Sequence, residues 1–249
     1  MIEGIRKGKD MSIIVIGKNA VRETVASNSA LSLKIDPKHQ ADPIVRSAVA
    51  KKIPVEFLNR EELTRIAKDP SHQGFLAICQ EPKIYALNEL LDSLSGKPDP
   101  LLLILDSIED PHNLGAILRS CDAFGVDGVI MKKRGEAPFN STVAKVSTGA
   151  FAYVKLCQVA NLSSAIRSLK DEGYWIASSD GSATASYEDI DYNGKMALVV
   201  GSEGFGISHL VLENSDFVVK IPMVGHVNSL NASVATGIFL AMAAHKRGK

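Results

Sequence analysis

The run Leu101-Leu102-Leu103-Ile104-Leu105 constrains this chain more than any other feature. Five consecutive large apolar residues with no polar alternation need cover on both faces, which a central strand of a parallel sheet has. Parallel strands in turn need crossover helices. The sequence supplies one at once: Leu114, Ile117, Leu118, Cys121 and Phe124 fall at helical spacing over 113–124, and Val126 to Met131 reads as the next strand. A helix over 161–172, strands from Tyr174 to Ala177 and Met196 to Val200, a short helix near 207–214, a strand from Phe217 to Ile221 and a last helix over 229–246 continue the alternation. This predicts a doubly wound α/β domain over 101–249.

The part before it reads as a smaller α/β unit. Strands are expected over 12–17, 53–58 and 74–79, with helices over 19–26 and 60–67, the second carrying Leu63, Ile66 and Ala67 on one face. The turn cluster Ser95-Gly96-Lys97-Pro98-Asp99-Pro100 should not sit inside a regular element. We therefore divide the chain into a small domain at 1–84, a linker at 85–100 and a larger domain at 101–249.

Composition excludes several classes of function. Lys plus Arg and Asp plus Glu are both 28, so any nucleic-acid surface must be a local patch. Three separated cysteines give neither a disulfide framework nor zinc spacing, and the histidines add no metal motif. No apolar run approaches the length of a membrane span and no signal peptide is visible, so a cytoplasmic protein without metal or membrane attachment is expected.

Ligands of such sheets sit at the carboxyl ends of strands and at helix N-termini. Three polar segments fall there: Asp106 to Gly115, with Arg119 on the helix behind it; Gly201-Ser202-Glu203-Gly204-Phe205-Gly206; and Ile221 to Asn231. The second is not a dinucleotide fingerprint, because its glycines lie at offsets 0, 3 and 5 and a carboxylate stands where phosphate would approach. No phosphate-binding loop ending in Gly-Lys-Ser/Thr occurs, and no Gly-x-Ser-x-Gly marks a serine hydrolase. From the residues alone, a polar or anionic substrate is held beside a backbone-lined pocket; the reaction is not named.

The same segments resemble a known family. Asn113-Leu114-Gly115-Ala116-Ile117-Leu118-Arg119-Ser120 is similar to the first motif of the SpoU or TrmH ribose 2′-O-methyltransferases, Gly201 to Gly206 to the second, and Ile221-Pro222-Met223 through Ser229-Leu230-Asn231-Ala232-Ser233-Val234-Ala235 to the third. Ser147-Thr148-Gly149-Ala150 resembles a connecting stretch, and His72-Gln73-Gly74 the end of the family's amino-terminal substrate-binding domain. The third motif often reads Ser-Leu-Asn-Val-Ser, where this chain has Ala232.

The resemblance implies a mostly parallel α/β sheet whose carboxyl end forms a trefoil knot, S-adenosylmethionine as cofactor, RNA as substrate with ribosomal RNA foremost, and a homodimer. Transfer RNA is the other enzymatic target it allows; a non-catalytic RNA-binding or ribosome-assembly protein keeping the fold is a reading of another class, and a small-molecule α/β enzyme is the third. It places the cofactor against Gly201, Ile221, Pro222, Met223, Gly225 and Leu230. It gives Arg119 the task of holding phosphate and stabilising charge on the attacking oxygen, usually across the dimer; Asn113 orients Arg119 or the substrate backbone, Glu203 fixes Arg119, the cofactor loop or the ribose, and Ser229 and Asn231 hydrogen-bond within the knot and at its substrate edge. Lys132, Lys133, Arg134 and Lys145 are expected near the RNA backbone.

Overall fold

A computed structural model describes residues 12–227 and 229–248. These group into two compact units: residues up to Pro82 together with Phe139–Tyr153, and Lys83–Pro138 together with Val154 onward.

The first unit is built on a four-stranded sheet of order β1-β4-β2-β3. In chain order it contains β1 (Ser12–Ile16), α1 (Lys18–Ala26), β2 (Ala30–Ile35), α2 (Pro43–Ala50), β3 (Val55–Phe57), α3 (Arg60–Ala67) and β4 (Phe75–Gln80). β4 lies antiparallel to β1 and β2, and β3 runs parallel to β2. α3 follows its expected span because both ends are specified. Asn59 accepts from Glu62 N at 3.0 Å while Glu62 returns a bond to Asn59 N, and Lys68 closes the helix in a left-handed conformation. β2 and α2 were not expected. In β2 the alternation Leu31-Ser32-Leu33-Lys34-Ile35 is legible, and a register irregularity between Ala30 and Ser32 goes with Leu31 being 49% exposed while Leu33 and Ile35 are buried. α2 carries a legible start, Asp42 capping Ile44 N at 3.0 Å with Pro43 in the first turn.

The second unit holds an eight-stranded sheet of order β10-β12-β9-β11-β6-β7-β8-β5 in which every neighbouring pair is parallel. Its elements begin with β5 (Ile84–Tyr85), α4 (Leu87–Asp92), β6 (Leu101–Asp106), α5 (Pro111–Ala123) and β7 (Gly128–Lys132). After α6 (Ser141–Val146), which belongs to the first unit, come β8 (Lys155–Val159), α7 (Leu162–Asp171), β9 (Trp175–Ser179), β10 (Ala185–Ser186), β11 (Met196–Gly201), α8 (His209–Glu213), β12 (Phe217–Lys220) and α9 (Ala232–Lys246). All six residues of β6 are buried, as the apolar run demands.

The stretch 85–100 is not a free linker. β5 pairs with β8, Leu90 is wholly buried, and Asp127 accepts from Lys97 Nζ at 2.6 Å and from Leu101 N at 2.8 Å. The turn cluster is a surface loop of the second unit. The residues after β7 read as a basic turn and then strand or loop elements through 159, but Phe139–Tyr153 carries the helix α6 and packs into the first unit: α6 lies on β1, and Val143, Ala144 and Phe151 are buried.

Chain order places the site. β11 enters between β9 and β6, and β12 lies on the far side of β9. The chain leaving β12 then returns toward the loop after β11 before α9 packs on α5 and β11.

Candidate active site

Three residues from distant parts of the second unit meet in one hydrogen-bonded ring. Asn113 Nδ2 donates to Glu203 Oε1 at 3.1 Å, Asn231 Nδ2 donates to Asn113 Oδ1 at 2.9 Å, and Asn231 Nδ2 also donates to Glu203 Oε1. Ala232 N adds a donor to the same Glu203 oxygen at 3.1 Å. Each amide thus has both its donor and its acceptor side engaged, which fixes its orientation.

Local structure explains the placement. Asp110, not Asn113, caps α5, accepting from His112 N at 2.9 Å with Pro111 following. Asn113 is thereby free to face Glu203 from the first turn. Asn231 caps α9 through Oδ1, which accepts from Ser233 N at 3.0 Å and Val234 N at 3.3 Å, so α9 starts at Ala232 rather than 229. Glu203 sits in a tight loop in which Gly206 N donates to Ser202 O at 2.9 Å. A Cβ at Gly201 would lie 2.1 Å from the carbonyl oxygen of Gly206, so that glycine is required by close backbone approach.

Beside the ring lies a pocket lined by Gly201, Glu203, Ile221, Met223, Ser229 and Leu230, all expected at the site. Pro222 and Gly225 are exposed and do not line it, and Asn228 lies outside the described residues. The sequence reading missed its other wall. Ser179 ends β9, Asp180 and Gly181 follow it, and Val200, Ser202 and Gly206 flank the Glu203 loop. β9 runs two residues beyond the expected Ala177, and the signal to read is the polar Ser178-Ser179-Asp180-Gly181 at the carboxyl end of a parallel strand.

Arg119 is exposed on α5 and makes no hydrogen bond or ion pair with any described residue. Six residues of helix separate it from Asn113, about 9 Å along the axis and roughly 120° around it. Within one chain it therefore does not join the ring.

Two expected cationic contacts have other partners. Lys132 Nζ donates to Asp106 Oδ1 at 2.8 Å and Ser107 Oγ at 2.9 Å, and lies 3.9 Å from Glu136 Oε1. Lys145 Nζ donates to Asp69 and Ser71 at 2.7 Å within the first unit, holding the Asp69 carboxyl well below the usual carboxylate range. Lys133 and Arg134 are exposed. Burial pushes the Glu136 carboxyl up to about 7, although N–H donors from Ser107 and Ile108 and the charge of Lys132 pull it down. Burial also tends to raise Asp106, but Lys132 and Ser208 outweigh it and hold that carboxyl below its ordinary value.

His72 is a core residue: its Nδ1 accepts from Gly74 N at 3.0 Å, Nε2 faces Thr64 Oγ1 at 3.0 Å, and burial lowers its pKa. The three cysteines are buried and unpaired. Among the described residues no group of His, Cys, Asp and Glu could hold a metal, and no helix is long and apolar enough to cross a membrane.

A backbone-lined pocket at the carboxyl ends of parallel strands, with a carboxylate and two amides locked beside it, lies where α/β proteins bind their ligands. Comparison with known proteins narrows the class. Residues 100–241 match the SpoU rRNA methylase family, and residues 14–85 match the RNA 2′-O ribose methyltransferase substrate-binding family. The chain belongs to the SpoU methylase family and is an RNA 2′-O-ribose methyltransferase.

A Staphylococcus aureus protein described as belonging to the TrmH family of tRNA/rRNA methyltransferases is 41% identical over 239 residues, covering 94% of this chain and 96% of that one. A Staphylococcus epidermidis relative with the same description is 40% identical over 240 residues, with the same coverage. Among solved structures, the AdoMet-bound rRNA methyltransferase of Sinorhizobium meliloti superposes with a TM-score of 0.78 at 23% identity, over 94% of this chain and 87% of that one. The AviRb SpoU methyltransferase of Streptomyces viridochromogenes, solved with AdoMet, gives 0.78 at 22% identity over 95% and 90%. These two share the fold.

Proposed function

We propose that this enzyme transfers a methyl group from S-adenosylmethionine to a ribose 2′-hydroxyl of ribosomal RNA, as a cytoplasmic homodimer with a knotted second unit. The observation that carries the reading is the Asn113–Glu203–Asn231 ring, which brings the three motif segments together at the rim of the pocket. The pocket suits the donor molecule. Ile221, Met223 and Leu230 offer apolar surface to an adenine ring, while the carboxylates of Asp180 and Glu203 suit an amino group and a sulfonium charge. Bound there, S-adenosylmethionine supplies an already activated methyl group.

The protein must then align a weakly acidic hydroxyl and stabilise the charge that grows on its oxygen. Arg119, whose guanidinium bonds no described residue, suits this task, holding the neighbouring phosphate; it stays protonated and does not serve as the base. Because Arg119 stands away from the ring in its own chain, it acts on the ring of a second copy. α9 supports that assembly. It is apolar all round, a pattern that calls for burial, yet Val234 is 49% exposed and Ile238 and Met242 are only half-buried. Support for ribosomal RNA is the rRNA methylase family match over 100–241, joined to a substrate-binding unit at 14–85.

Calorimetry with S-adenosylmethionine, followed by mapping of 2′-O-methyl sites in RNA from cells with and without the protein, tests the reading. Loss of a ribosomal RNA site is the expected result. A lost transfer RNA site would redirect the substrate, and a pure preparation that binds no S-adenosylmethionine would remove the catalytic reading.

A further inference from the structure

Two strands end side by side at Asp106 and Lys132, and the loops leaving the sheet near there carry two members of the ring. Asp106 holds both ends of the Glu203 loop. Its backbone oxygen accepts from Ser202 N at 3.1 Å, and its carboxylate Oδ2 accepts from Ser208 N at 2.9 Å. Glu136 holds the start of the loop that leads to Asn113, accepting from Ser107 N at 2.7 Å and Ile108 N at 2.6 Å. Ser107 needs holding, since its φ of 66° is a left-handed conformation uncommon for a residue with a side chain.

Lys132 joins the two grips. Its ammonium group donates to Asp106 and to Ser107 Oγ and faces Glu136, so one cation bridges the two carboxyl groups. The Asp106 and Glu136 side chains are each 2% exposed and that of Lys132 28%. None of the three lines the pocket beside Glu203 except through these loops.

We infer that Lys132 is a positioning residue for methyl transfer: it couples the loop leading to Asn113 to the loop bearing Glu203 and so keeps the ring in register. Without the ammonium group, Asp106 Oδ1 loses its charged donor and the cation that ties Asp106 to Ser107 and Glu136 is gone. The loops then relax independently. This rests on the catalytic reading above.

Lys132→Met, close in length and without charge, tests it in the full chain. Single-turnover transfer to RNA is expected to fall by about 10-fold or more, the scale of a sub-ångström to 1 Å misplacement, while the KM for RNA holds. Amide hydrogen exchange should quicken together in 107–113 and 202–208, and Lys132→Arg should recover part of the rate. Should Lys132→Met fail to fold, Lys132→Gln keeps one donor for Asp106 and is expected to show the same paired loosening. A raised KM for RNA with an unchanged rate and unchanged exchange would make Lys132 an RNA contact and overturn the inference. So would a lower melting temperature with the rate of the folded fraction intact. Wild-type protein that binds S-adenosylmethionine and turns over beside an equally active Lys132→Met would sink the positioning role alone; wild type that binds no S-adenosylmethionine would sink the catalytic reading instead.

Discussion

Adding one methyl group at Gly201 should disable the donor pocket, whereas the same addition three residues later should not. An alanine Cβ at 201 would stand 2.1 Å from the oxygen of Gly206, 2.2 Å from its carbonyl carbon and 2.6 Å from Ile207 N. Carbon and oxygen atoms in close contact lie about 3.3 Å apart, so the loop must retreat by roughly 1.2 Å. All three obstructing atoms are backbone, and no rotamer change relieves them. Overpacking of this kind costs about 1–3 kcal/mol. If the loop moves rather than the unit unfolding, the same strain reappears as weakened donor binding of ~5- to ~150-fold. The retreat also draws Glu203 from Asn113 and Asn231, which adds a loss of transfer of about 10². Gly204→Ala is the control, because nothing lies within 4 Å of its would-be Cβ. Titration calorimetry with S-adenosylmethionine and radiolabel transfer to RNA measure both quantities. Gly201→Ala protein with affinity and rate equal to those of Gly204→Ala would refute the close-approach argument.

Arg119→Ala should leave donor affinity within about 2-fold and cut transfer to RNA by about 10² or more, the usual scale for losing a transition-state contact; unchanged turnover removes Arg119 from catalysis. Asn231→Ala loses the α9 cap and two ring bonds, so unfolding stability of the second unit should drop by about 1–2 kcal/mol in urea titration, with transfer reduced as well. Glu136 gives a pH prediction. Its pKa rises from an ordinary value of 4.5 to about 7 on folding, so its stabilising effect is full below about 4.5 and is lost as pH climbs to about 7, on the order of 3 kcal/mol in all. Asp106 has the opposite sign, its contribution fading only as acid approaches its lowered pKa. Urea midpoints at pH 5 and 7 should therefore show a downward slope that Glu136→Gln flattens; equal slopes in the two proteins would refute the assignment.

Much of this was legible in local pattern, and the exceptions have physical causes. The apolar run 101–105 identified a doubly covered strand because no other environment tolerates it, and all of β6 is indeed buried. The apolar face of Leu63, Ile66 and Ala67 announced α3, whose start the Asn59–Glu62 capping box then fixes. By contrast, the Pro and Gly cluster at 95–100 marks a break in regular structure, not a boundary between units, and Leu90 beside it is core. The ring members were each named from sequence, yet their mutual bonds depend on separations of 90 and 118 residues that no local pattern encodes. Lys132 was read as a cation awaiting RNA because its partner Asp106 lies 26 residues away in sequence.

The return of residues 139–153 to the first unit has a consequence for biogenesis. β1 is the first described strand to leave the ribosome, yet α6, which covers it, is translated more than a hundred residues later. Until then the nascent small sheet keeps an apolar surface that Val143, Ala144 and Phe151 will later bury against. An excised fragment ending near residue 84 would keep that surface permanently bare and should aggregate on expression, whereas co-production with a 139–153 peptide should improve its solubility.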